Sequence, residues 1–141
     1  MATSIHLKLA VLGTLIALAS GCAQQGLEKV AVSGMVQYAG KPIPHGQIRF
    51  FPIEGTRGPV SGGVIKDGKY RADGKGGVPL GKHRVEIYAY RPMRSAVSAA
   101  IQAEGGASEQ YLPAKYNGAS GLQIVITGES SSQPVDFDLA S

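Results

Sequence analysis

From Val30 onward, apolar residues recur at every second position in short runs, and turn residues break each run within eight to twelve positions. Only an extended strand sends alternate side chains to one face, so this period constrains the chain to β-structure before composition is considered. Val30, Val32, Val36 and Tyr38 alternate with Ala31, Ser33, Met35 and Gln37. Ile48 and Phe50 face one way, and Gln47, Arg49 and Phe51 the other. Val60 to Ile65 and Lys69 to Ala72 flank Asp67-Gly68, a pair that accepts positive φ at low cost and predicts a tight hairpin with Tyr70 inward. Val85, Ile87 and Ala89 oppose Arg84, Glu86, Tyr88 and Tyr90, while Leu122, Ile124 and Ile126 form one late row and Val135, Phe137 and Leu139 another. Seven short strands in about 110 residues predict an all-β sandwich, mainly antiparallel. Its expected core is Val32, Val36, Ile48, Phe50, Tyr70, Val85, Ile87, Ile124, Val135 and Phe137.

Composition agrees with one ordinary domain. Charged residues make up 17% of the 141, below the usual quarter, which excludes a charged disordered tail and a coiled coil. The net charge of +4 is mild and spread along the chain, so nucleic acid is not an expected partner.

The N-terminus has a different pattern. His6 and Lys8 precede an apolar run of 11 residues, 9–19, which is too short for the roughly 20-residue helix that spans a bilayer. Small residues then lead into Cys22, the only cysteine. The order Leu18-Ala19-Ser20-Gly21-Cys22 resembles the lipobox of bacterial lipoproteins, with Ala19 where leucine is commonest. That resemblance implies removal of residues 1–21, diacylglycerylation of the Cys22 thiol, a short tether over 22–29 and a domain over 30–141. The expected product is an exported, membrane-anchored envelope lipoprotein. Ala23, which is not an acidic retention signal, inclines its destination to the outer membrane. An ordinary secretory signal that leaves Cys22 a free thiol is the other reading.

The stretch 32–51, then Asp67-Gly68-Lys69-Tyr70 and Val78-Pro79-Leu80-Gly81 running on to Val85, resemble carboxypeptidase regulatory-like domains. Leu112-Pro113-Ala114-Lys115-Tyr116-Asn117 and the final Phe137-Asp138-Leu139 are similar to small bacterial lipoproteins that carry one such domain. The resemblance implies a transthyretin-like, antiparallel Greek-key sandwich of seven strands. It also implies a non-catalytic accessory or interaction role. Its motifs consist of turn glycines and prolines, which specify a fold and carry no reaction.

Chemistry is sparse. His83 and Glu86 match an H-x-x-E zinc pair, but residues three apart on a strand face opposite ways, so His83 and His45 are expected to be solvated surface histidines. Asp136 and Asp138 share a strand face, yet calcium requires six to eight oxygens. Gly74 to Gly77 lacks the strand–loop–helix setting of a phosphate loop, and no nucleophile sits in a recognisable elbow. A 5-hydroxyisourate hydrolase of transthyretin-like fold ends in Tyr-Arg-Gly-Ser, whereas this chain ends in Asp-Leu-Ala-Ser. No enzyme activity, metal or cofactor is expected.

Arg84, Arg91 and Arg94 with Tyr88 and Tyr90 form the one basic-aromatic group, suited to anionic glycans, lipid headgroups or a protein, or else to guarding an edge strand. The connection 91–121 is long for a sandwich, with a brief helix possible over 95–103. Any specific partner is expected to be met through this connection, with Tyr111 and Tyr116 as anchors, unless they are staples that fold the loop back. The expected function is a lipid-anchored, non-catalytic envelope module that binds a protein or a polysaccharide, with a small-molecule or glycan carrier as the alternative and a transthyretin-like hydrolase a distant third.

Overall fold

The computed structural model describes residues 26–93 and 108–141. Cys22, the lipobox-like run 18–22, Arg94 and the expected helix over 95–103 lie outside the described residues. The fold is all-β. The eleven strands among the described residues, of two to twelve residues each, are β1 (Lys29–Tyr38), β2 (Lys41–Pro42), β3 (His45–Pro52), β4 (Ser61–Lys66), β5 (Lys69–Ala72), β6 (Val78–Pro79), β7 (Gly81–Pro92), β8 (Ser108–Gln110), β9 (Gln123–Ile126), β10 (Ser132–Pro134) and β11 (Phe137–Leu139). The expected count of seven rises because short pairings add β2, β6, β8 and β10.

Hydrogen bonding runs in the order β10-β1-β5-β4-β3-β7-β8, with β9 also on β7. The sheet curls around one apolar cluster to which both ends of this path contribute. Period two places the residues as the alternation requires. Val30, Val32 and Val36 from β1, Ile48 and Phe50 from β3, and Val85, Ile87 and Ala89 from β7 are buried together. Phe50, Tyr70 and Phe137 stack in series with ring centroids 6.2 and 6.3 Å apart. The Tyr70 hydroxyl donates to the Val135 carbonyl at 2.7 Å, so its polar end is satisfied inside the core. Of the expected core, Ile124 and Val135 are only partly buried.

The Asp67-Gly68 hairpin forms as expected, with φ of 51° and 77° at its two central residues and Lys66 opposite Lys69. Three expectations change. The chain end is not antiparallel: β10 and β11 both run parallel to β1, because β9 finishes at the end of the sheet where β1 starts. Gly34 accommodates the break between them, since a Cβ there would collide with the Val135 carbonyl. β7 is not an edge strand, because β3 lines one side while β9 and β8 share the other. His83 is not solvated: it lies on the inward row of β7 and is 0% exposed.

Candidate basic-aromatic face

β3 and β7 are antiparallel, with Gln47 opposite Tyr88, Arg49 opposite Glu86 and Phe51 opposite Arg84. All six side chains belong to the outward rows of the two strands. Glu86 forms the base of the group. It is nearly buried, pairs with Arg84 Nη1 at 2.5 Å through Oε1, and accepts the Tyr88 hydroxyl at 2.9 Å through Oε2. Both carboxylate oxygens are therefore satisfied, and two neighbours are held in place. Burial first, and then the bond to Glu86, raise the Tyr88 hydroxyl above its ordinary value.

Two guanidinium groups lie over rings. Arg84 is 4.7 Å from the centroid of Phe51, and Arg49 is 5.6 Å from that of Tyr88. Gln47 Nε2 donates to the Tyr90 hydroxyl at 2.9 Å and extends the group towards the end of β7. Arg84 is committed to Glu86, whereas Arg49 makes no ion pair among the described residues.

The expected basic-aromatic group therefore divides. Arg84, Tyr88 and Tyr90 share this face, but Arg91 has the opposite parity and belongs to a second cluster. There its guanidinium lies 5.3 Å from the Tyr111 centroid, and its Nε pairs with Glu109 at 2.7 Å. Tyr111 and Tyr116 each pack against Tyr38, at 6.3 and 6.4 Å. Burial is the largest influence on Tyr111 and raises its hydroxyl, with Arg91 opposing. Tyr116 is buried and its hydroxyl donates to the Ala140 carbonyl at 2.7 Å. Leu112 is buried beside it, and Ser120 Oγ donates to the Val85 carbonyl at 2.5 Å. Residues 108–121 are thus stapled along β7 and across the end of the core.

Gln47, Arg49 and Phe51 were absent from the sequence-derived group. Their outward alternation was legible, but their register against β7 was not. The parity rule that separates His83 from Glu86 also separates Arg91 from Tyr88, and that much is legible in the sequence.

Elsewhere, His83 Nδ1 lies 3.1 Å from the Gly81 carbonyl, while Nε2 is buried without a partner. Burial lowers its basicity, and the Gly81 bond opposes this. Asp136 Oδ1 accepts the Met35 amide at 2.7 Å, a structural use of one member of the acidic pair. An open cleft of about 840 Å³ lies where β1 begins, lined by Leu27, Glu54, Thr56, Arg57, Leu80 and Lys82 among others. No protein family, curated protein or solved structure matches this chain.

Proposed function

We propose that this chain is a lipid-anchored, non-catalytic envelope protein whose sandwich binds a protein or polymer partner through the outer face of β3 and β7. The observation that carries this reading is the ordered ladder of Arg49 on Tyr88 and Arg84 on Phe51, braced by Glu86. Tyr, Phe and Arg are the residues enriched where proteins meet partners. Here packing already restrains them, so less side-chain entropy is lost on binding. The likeness to carboxypeptidase regulatory-like domains and the position of Cys22 support an anchored accessory role.

Photo-crosslinking of the full chain in the envelope tests the reading. A photoreactive residue at Tyr90 is expected to give a discrete adduct, while one at the exposed Asp138 gives none. The same adducts from both positions, or none from Tyr90, would overturn it. The cleft beside Arg57 favours a second reading, a small-molecule carrier. A carrier predicts a low-mass adduct from a photoreactive residue at Arg57 instead.

A further inference from the structure

A shallow groove of about 300 Å³ crosses the outer face beside this ladder, lined by Gln47, Arg49, Val60, Gly62, Gly63 and Val64 among others. We propose that it is a subsite for an anionic polysaccharide, with Arg49 pairing the carboxylate of an acidic sugar. The proposal rests on the reading of this face as a binding surface and adds the chemical class of the partner.

The floor of the groove is built into the fold. Gly62 is the one outward position between Val60 and Val64, and a Cβ there would collide with the Ile48 carbonyl, so it cannot carry a side chain without moving a strand. Bare backbone is left between Val60 and Val64, which are 50% and 73% exposed. A flat floor between two small apolar walls accommodates the C–H face of a sugar ring. It provides no deep pocket of the kind that holds a peptide's large anchor residue.

The charges select an anion. Gly62 stands opposite Arg49 in register, so no β4 side chain covers the arginine from that side. Four residues further along β4, Lys66 stands opposite Lys69 of β5. Neither lysine makes an ion pair among the described residues. Like charges in directly opposed positions repel, and a bound polyanion relieves that repulsion. Along the outward rows of β3, β4 and β7 the one carboxylate is Glu86, already bonded to Arg84 and Tyr88. A repeating acid that follows the sheet meets Arg49 and then the lysine pair.

The test is titration of the full chain in detergent with oligogalacturonate, its methyl ester and a single-stranded oligonucleotide. The acid is expected to bind at least tenfold more tightly than the ester, because only the acid forms the charge-assisted pair. Arg49→Ala weakens binding about tenfold, Arg49→Lys restores part of it, and Lys115→Ala, away from the groove, leaves it unchanged. Thermal unfolding checks that the variants fold; if Arg49→Ala does not, Lys66→Gln with Lys69→Gln is expected to give the same loss. Equal binding of acid and ester, equal loss in Lys115→Ala, or equally tight binding of the oligonucleotide overturns the proposal. If oligogalacturonate fails to bind while the Tyr90 crosslink persists, the polysaccharide is wrong and the binding face stands. Loss of both removes both.

Discussion

An imidazole inside an apolar core makes stability depend on acidity. Burial holds the folded-state pKa of His83 below its ordinary value, so in mild acid the unfolded chain binds more protons than the folded one. The contribution of this residue is fully present above about pH 6.5 and is lost as pH falls below it. The unfolding midpoint is expected to fall as pH drops from 7 to 5, and His83→Leu is expected to flatten that slope. An unchanged slope in the variant would assign the effect to other groups. Tyr116 provides a smaller test at the same scale. Tyr116→Phe keeps the ring against Tyr38 but loses the bond to Ala140, costing about 0.5–1.5 kcal/mol in denaturant unfolding. Phe50→Ala, at a fully buried position, is expected to cost about 3–5 kcal/mol.

At the scale of elements, the free side of β9 faces the start of β10 without a strand ladder between them. The Gln133 side chain takes the place of one. Its Oε1 accepts the Thr127 amide at 2.9 Å, and its Nε2 donates to the Val125 carbonyl at 3.0 Å. One side-chain amide thus satisfies two backbone groups that an incoming strand would otherwise pair with. Gln133→Ala is expected to cost about 1 kcal/mol and to expose that edge, with concentration-dependent self-association visible by analytical ultracentrifugation. An unaltered sedimentation profile would show that the clasp does not guard the edge. β7 is protected differently: β9, Ser120 and β8 cover its second side in succession.

At the scale of the whole molecule, β1 and β7 both lead away from the end where the chain enters, and β3 leads back. The cleft, the loop at 53–57, Leu80 and the start of β7 lie at the entering end, whereas Tyr38, Arg91, Tyr111 and Tyr116 lie at the other. Under the proposed anchor, four residue-to-residue steps separate Cys22 from Gly26, a reach of at most about 14 Å. The cleft end is then held beside the bilayer, and the groove runs up one side. A fluorophore at Arg57 is expected to be quenched by headgroup-labelled lipid and one at Lys115 to be spared. Equal quenching would argue against this orientation. Intact mass is expected to show loss of residues 1–21 with added acyl mass, and Cys22→Ala is expected to release the protein.

The alternation of Val30 to Tyr38, the Asp67-Gly68 turn and the inward Tyr70 were legible in the chain because each depends on neighbours within a few residues. A period of two assigns every side chain to a face, and a turn pair with positive φ sets its own hairpin register. What period cannot reveal is which strand lies beside which, or whether a given face meets core or water. Only packing around a common core brought Arg49 and Phe51 beside Tyr88 and Arg84. The same packing placed the inward row of β7 so that His83 is enclosed, and turned β10 and β11 parallel to β1. These outcomes depend on contacts between residues far apart in sequence, where the chain's own periodicity carries no information about the partner.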